Sequence, residues 1–237
     1  MLPKPSYLDE VFKGASLFYQ PKDIVGGDFY WILDRDDSIY WAVIDCTGHG
    51  VPGGFMSMIG NSILNEIVSE QGITEVDEIL NMMRDKVIKS INGGVKNVHE
   101  AERKDGMDVA LCKMDKDSGK LEFAGANLNA YVFHQGELIE IQGEPQPVGA
   151  YKSIKPFKKH SFATEFGDSV YIFTDGYPDQ FGGIKHKKFK YRRMRKLLQD
   201  LQNKTMPEQE QMVAEVFKRW KGETHQTDDV SFLGIKL

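Results

Sequence analysis

The sequence predicts an α+β domain built in layers, with antiparallel strands and helices gathered in separate blocks. Three features carry this expectation. Short apolar segments rich in β-branched and aromatic residues follow one another through hairpin-length polar turns. Between about Phe55 and Ile91 the apolar residues change to three- and four-residue steps, the period of amphipathic helices. A second helical block follows Lys185 and ends before one last strand. Helices grouped in this way, instead of one between each pair of strands, argue against alternating βαβ units.

In order along the chain, Gly14–Gln20, Ile24–Leu33 and Ile39–Cys46 read as strands, the last two joined by the polar turn Asp34-Arg35-Asp36-Asp37-Ser38. A helix is expected from about Phe55 to Val68. Another is expected from about Val76 to Ile91, opened by Thr74 as N-cap with Asp77 at N3 and closed by Asn92-Gly93-Gly94. Strands return at Val109–Met114, Lys120–Ala124, Asn129–His134 and Glu137–Ile141, with turns at Asp117-Ser118-Gly119 and Gln135-Gly136. Ser169–Thr174 is a further strand that runs into Asp175-Gly176. The basic stretch Lys185–Leu198 leads into helical sequence through Met206–Trp220, and Val230–Lys236 closes the chain as a strand.

The 237 residues suit one large domain, with no repeat, low-complexity tract or long linker to divide them. The start a few residues before the first strand also fits the excised C-terminal catalytic domain of a longer sensor protein. An apolar share of 41% and a charged share of 27% are those of a globular protein. No run reaches the roughly 18 apolar residues of a membrane helix, so no membrane contact is expected. The net charge of -5 gives no reason to expect nucleic acid. Cys46 and Cys112 make neither a disulfide framework nor a zinc site, and a reducing, cytoplasmic setting is expected.

The chemistry lies in aspartates at strand ends. Centring the hairpin turn between Asp36 and Asp37 sets residues whose numbers sum to 73 opposite one another, which pairs Asp28 with Asp45. Directly opposed side chains have Cβ atoms about 4.5–5.5 Å apart, where two carboxylates repel. They need a cation, a shared proton or an exit to solvent. Asp175 follows the apolar strand Val170–Thr174 and Asp228-Asp229 precede the last strand, so antiparallel neighbours would bring them to the same edge. A set of oxygen ligands without His or Cys side chains favours Mg²⁺ or Mn²⁺ over zinc.

Gly48-His49-Gly50-Val51-Pro52-Gly53 matches the spacing of a dinucleotide-binding loop. The strand before it belongs to a hairpin and the helix after it leads to a second helix, so the βαβ context of that loop is missing. The glycines suit a tight turn that lets carbonyls approach a metal, and the helix start near Pro52 suits an anion.

Four segments together resemble a known family: Val25-Gly26-Gly27-Asp28-Phe29-Tyr30, Asp45-Cys46-Thr47-Gly48-His49-Gly50-Val51-Pro52-Gly53, Phe173-Thr174-Asp175-Gly176 and Gln226-Thr227-Asp228-Asp229. In order and spacing they are similar to the PPM (protein phosphatase 2C-type) superfamily, and more narrowly to its bacterial sporulation-phosphatase (SpoIIE-like) and stress-response branch. The resemblance runs from about Phe18 to the C-terminus. It implies a sandwich of two packed antiparallel β-sheets flanked by helices, and a metal-dependent phosphoserine/phosphothreonine phosphatase working through a hydroxide that bridges two Mn²⁺ or Mg²⁺ ions. Asp45 matches the bridging aspartate, Cys46 stands where a backbone carbonyl completes the coordination, and Asp175 and Asp228 match further metal ligands. Asp28 matches an acid that binds metal directly or through water. Asp108 is a candidate for a third ion, and Asp229, where relatives often carry asparagine, supports the ligands from behind.

Two departures stand out. Thr47 occupies the place of a proposed histidine acid in animal relatives, leaving His49 as a candidate, and no arginine precedes the first motif, although Lys22 is near. The substrate implied is a phosphorylated regulatory protein, such as a STAS-type anti-sigma-factor antagonist. In this branch the two helices around 55–91 often form a switch and homodimer surface, to which Met56, Met58, Met82 and Met83 would contribute unless they fill the core. The basic run Lys185–Arg193 would dock an acidic partner or remain a solvated helix start. A non-catalytic, partner-binding relative is the rival reading, and the presence of all four aspartates argues against it.

Overall fold

The computed structural model describes residues 2–92 and 105–237. A short helix α1 (Pro5–Val11) precedes β1 (Ala15–Gln20), β2 (Phe29–Asp34) and β3 (Ser38–Cys46). The helical block is α2 (Gly50–Asn65), a π-helical turn (Glu66–Glu70) and α3 (Val76–Ile91). Then come β4 (Gly106–Asp115), β5 (Lys120–Ala126), β6 (Ala130–His134), β7 (Glu137–Ile141), β8 (Val148–Gly149), β9 (His160–Ala163) and β10 (Ser169–Phe173). The chain ends with α4 (Gly176–Asp179), the small hairpin β11 (Phe181–Gly182) and β12 (Lys187–Lys188), α5 (Tyr191–Leu201), α6 (Met206–Lys221) and β13 (Val230–Lys236).

Two large antiparallel sheets form, one in the order β1-β13-β10-β6-β7 and the other β2-β3-β4-β5-β9 with β8 added to β4. Side-chain alternation explains how they stack. In β3, Trp41 and Val43 point between the sheets, where they meet Val132, Val170, Ile172 and Leu233 of the opposite sheet. Tyr40, Ala42 and Ile44 point the other way, onto Leu64 of α2 and Ile79, Leu80 and Met83 of α3. The outer face of the other sheet, with Tyr131, Tyr171 and Phe232, packs on Leu197, Leu198, Val213 and Phe217 of α5 and α6. Four layers result: helices, sheet, sheet, helices. A strand covered on both faces has no need of polar alternation, so β3 reads as an unbroken apolar run.

The β2–β3 register has Phe29 opposite Ile44 and Asp34 opposite Ile39, the pairing that the turn centre predicts. Elsewhere the structure corrects the expectation. The segment from Ile24 does not join β2 until Phe29, and Ile24 is fully exposed. Its backbone is drawn off the ladder by the Asp229 carboxylate, which accepts from the N–H groups of Lys22 and Gly27 at 2.6 Å each. Helix α2 starts at Gly50, ahead of the apolar periodicity, because its first turns hold glycines that give no periodic signal. Thr74 is not the cap of α3: Glu75 is, without a side-chain cap bond, and Thr74 O instead accepts from the Tyr40 hydroxyl. The expected closing pair Gly93-Gly94 lies outside the described residues. The basic stretch is not helical from Lys185 either; the β11–β12 hairpin occupies its first part. No helix of the described residues is long and apolar enough to cross a membrane.

Candidate metal centre

The aspartates meet where the two sheets share an end. Asp45 is the penultimate residue of β3 and faces Asp108 of β4 directly. On its other side Asp28, one residue ahead of the first β2–β3 pair and off the ladder, lies near enough to act on the Asp45 carboxyl. From the opposite sheet come Asp175, two residues beyond β10, and Asp228, two before β13. Asp28 is buried, and its Oδ2 accepts a 2.6 Å hydrogen bond from Thr174 Oγ1, which ties the two sheets together beside the cluster.

A close backbone approach sets the Asp175–Asp228 side. A Cβ on Gly176 would stand 1.8 Å from the carbonyl oxygen of Asp229, so only glycine lets the two loops touch. The metal-loop side is similar. Gly27 and Gly53 both press on the carbonyl of Gly48, at 2.5 Å and 2.3 Å from where a Cβ would be. Gly48 itself has φ +92°. This packing holds the Cys46 carbonyl near Gly27, while the Cys46 side chain is buried in the core with Ala42 and Ile44. Burial, then the surrounding aspartates, push its thiol well up, as befits an inert packing residue.

The protein compensates the charge of the cluster only in part. Burial first, then Asp28, Asp175, Asp228 and Asp108, push the Asp45 carboxyl up to about 10. Burial, opposed by the Thr174 hydrogen bond and reinforced by Asp229 and Asp228, pushes Asp28 up to about 8. Asp108 rises to about 6 through burial, eased by the hydrogen bond from Asn127 Nδ2. Asp175 is raised by burial and by Asp179 and Asp228, while Lys188 and a hydrogen bond with Asp45 pull it back. A cleft of about 600 Å³ opens over Asp45, Asp108, Asp175 and Asp228, and its described lining contains no Lys or Arg. As they stand, no three or more His, Cys, Asp or Glu side chains among the described residues form a group that could hold a metal ion. Repelling carboxylates of this kind fit hard divalent cations, whose charge would draw them inward and hold them ionised.

The other sequence candidates fall into distinct places. Thr47 is a clasp: its hydroxyl donates to Gly106 O at 3.0 Å and accepts from Gly106 N at 3.1 Å, tying the metal loop to β4. His49 is exposed on the cleft wall, its Nδ1 at 2.9 Å from Asp23 Oδ2. Both Asp229 carboxylate oxygens are taken up by backbone N–H groups, while the charge still reaches Asp28. Lys22 engages the site through its backbone N–H. Met83 is core, Met56 and Met82 pack against it, and Met58 alone of that quartet is exposed. Sequence reasoning missed Asn127, which sits at φ +57° and orients Asp108, and Tyr151 on the cleft wall. Asn after a strand and before another is a legible signal for a left-handed turn residue.

The chain resembles several solved structures. It superposes on the SiaA-PP2C domain of Pseudomonas aeruginosa at a TM-score of 0.87 and 27% identity, covering 100% of this chain and 91% of that one. The RsbU and RsbW domains of a Mycobacterium tuberculosis protein match at 0.70 and 20% identity, over 94% of this chain and 59% of theirs. RsbX in complex with magnesium matches at 0.61 and 15%, over 94% of each chain. No curated protein matches by sequence. The family model described as Stage II sporulation protein E (SpoIIE) matches residues 35–237, which takes in every strand from β3 to β13 and every cluster aspartate except Asp28. On the strength of that match and of the shared two-sheet fold, the chain belongs to the SpoIIE family of PP2C-type phosphatases.

Proposed function

We propose that the chain is a metal-dependent protein phosphatase that hydrolyses phosphoserine or phosphothreonine on a small regulatory protein, of which a STAS-type anti-sigma-factor antagonist is the expected kind, in the cytoplasm. One observation carries the reading. Four aspartates from two sheets, Asp45, Asp108, Asp175 and Asp228, line a cleft whose described lining has no Lys or Arg, and Asp28 lies beside Asp45. Asp45, Asp175, Asp228 and the Cys46 carbonyl are the groups that would hold two Mn²⁺ or Mg²⁺ ions, with Asp28 beneath them and Asp108 toward a third. Bound there, the cations supply Lewis-acid neutralisation of the phosphoryl oxygens and acidify water near neutral pH.

The chain's own residues supply placement. Asp229 fixes the Gly26-Gly27 loop that carries Asp28, and the Thr47 clasp fixes the loop that carries the Cys46 carbonyl. Both hydrogen-bonding roles of the Thr47 hydroxyl are taken up by Gly106, and His49 on the cleft wall, beside Asp23, is the candidate for protonating the leaving alkoxide.

Hydrolysis of p-nitrophenyl phosphate with Mn²⁺, with Mg²⁺ and with chelator tests the reading. Activity is expected with at least one cation, none with chelator, and a loss of about a hundredfold or more in Asp45→Asn. Turnover that survives chelation, or an Asp45→Asn protein as active as the parent, overturns it.

A further inference from the structure

One surface feature has no part in the chemistry described above. Residues 185–196 hold eight of the thirty Lys and Arg of the chain and no acid, so the remainder carries twenty-two bases against thirty-five acids. The structure gathers this charge into a groove of about 470 Å³ between the β11–β12 hairpin and α5, lined by Lys187, Lys188, Lys190, Arg192, Arg193 and Lys196. Every lining residue is basic. Lys188 pairs with Asp179, and the Arg193 guanidinium lies over the Trp220 ring at 4.5 Å. Among the described residues, Lys187, Lys190, Arg192 and Lys196 have no carboxylate at ion-pair distance.

The arrangement costs the fold stability. The first turn of α5 contains no acid and begins Tyr191-Arg192-Arg193, cations placed at the positive end of the helix dipole. Lys190, the residue before it, has φ +74° and ψ 150°, a conformation strained for any side chain. A surface that concentrates like charge against local preference, on an otherwise acidic molecule, is complementary to an anion.

The groove adjoins the aspartate cluster. Lys188 reaches Asp179 at the end of α4, whose N-cap is Asp175. Tyr191 lies between the two regions. Its ring is 6.3 Å from Phe173, and its phenol is pushed up to about 12 by burial and then by Asp175, Asp179, Asp108 and Asp45. At the hairpin tip beside the groove, Ile184 is fully exposed.

We propose that this groove docks an acidic segment of the phosphoprotein substrate, with Ile184 as an apolar anchor, and so presents the phosphorylated residue to the neighbouring cleft. The proposal rests on the phosphatase reading and adds a substrate class to it: phosphoproteins with acidic residues near the phosphorylation site. A short acidic segment suits the groove better than a nucleic acid, because the acidic surface beyond it would repel a long phosphate backbone. The groove also offsets the repulsion that an acidic enzyme exerts on a phosphorylated partner.

The test is a binding measurement on the full chain, independent of turnover. Two fluorescein-labelled phosphoserine peptides of equal length are titrated by anisotropy, one with aspartates flanking the phosphoserine and one with glutamines. The acidic peptide is expected to bind about tenfold tighter at low salt, with the difference shrinking as salt is added. The preference is expected to disappear in Lys187→Glu/Arg192→Glu/Lys196→Glu, checked for native circular dichroism, and in the milder triple Gln variant should the first not fold. Equal binding of the two peptides, or a folded variant that keeps the preference, overturns the proposal. So does a single-stranded RNA of the same length that binds tighter than the acidic peptide. Hydrolysis of p-nitrophenyl phosphate by the parent with Mn²⁺ reads the reaction centre separately: its absence would sink the phosphatase reading while the peptide comparison still decides docking.

Discussion

Asp45 faces Asp108 across one ladder and lies one residue past the last β2–β3 pair, beside Asp28, and this position has a consequence for stability. Both Asp28 and Asp45 have native carboxyl values raised above the ordinary 3.8, to about 8 and about 10. The native state therefore binds more protons than the unfolded chain between those limits. For the metal-free protein the contribution to stability is complete below about pH 4 and is lost as the pH rises toward 8 and then 10. The melting temperature in chelator is expected to fall across that window, with Mn²⁺ restoring it and Asp45→Asn flattening the slope. A melting temperature that rises from pH 5 to pH 8 in chelator would contradict this account of the cluster. At this scale the sequence was informative for a simple reason. Residues opposed in a hairpin are set by the turn centre, so the Asp28–Asp45 juxtaposition needed only local arithmetic. The partners of Thr47 and Asp229 were not legible, since Gly106 and Gly27 are brought to them by distant parts of the chain.

At the scale of elements, the two sheets are locked at the site by contacts that tolerate no side chain. Gly176→Ala places a methyl group 1.8 Å from the Asp229 carbonyl, a clash with backbone that nothing can relieve without separating Asp175 from Asp228. A loss of about 3 kcal/mol or more in denaturant unfolding is expected, with phosphatase activity falling alongside. Unchanged stability in this variant would show that the two loops are free to separate. Helix α2 illustrates how packing overrides propensity. Its glycines at 50, 53, 54 and 60 disfavour a helix, yet Gly53 lies on the metal loop and Gly60 under Met107 and Phe29. The capping box of Thr205 and Glu208 at the start of α6 is the opposite case, a boundary written in four adjacent residues.

For the whole molecule, the helix layers cover both outer sheet faces but leave one apolar stripe open. Val51, Phe55 and Met58 lie along the exposed side of α2, beside Ile24 and Val25 of the loop before β2. Residues at three- and four-residue spacing on one helix face are the arrangement of a contact surface, and a stripe this apolar next to the metal loop is costly to leave in water. It supports the homodimer expected through the helices around 55–91, with Phe55 at its centre and Met58, alone of the methionine quartet, beside it. Light scattering is expected to give twice the chain mass for the parent at micromolar concentration and the single mass for Phe55→Glu. A parent that stays monomeric at high concentration would remove this surface from consideration as a self-contact.

The sequence by itself determined the order of the longer strands and helices (not α1, β8, β9, α4 or the β11–β12 hairpin), the β2–β3 register and the aspartates worth attention, because period, turn chemistry and strand ends are local properties of the chain. Only the tertiary structure decided which sheets those strands join, that Ile24–Asp28 leaves the ladder, and that Asp175 and Asp228 from one sheet meet Asp45 from the other. Those outcomes depend on contacts between residues more than two hundred positions apart, such as Lys22 and Gly27 with Asp229. No local pattern encodes a partner that far away; burial of both sheet faces and the close approach of glycine backbones select it.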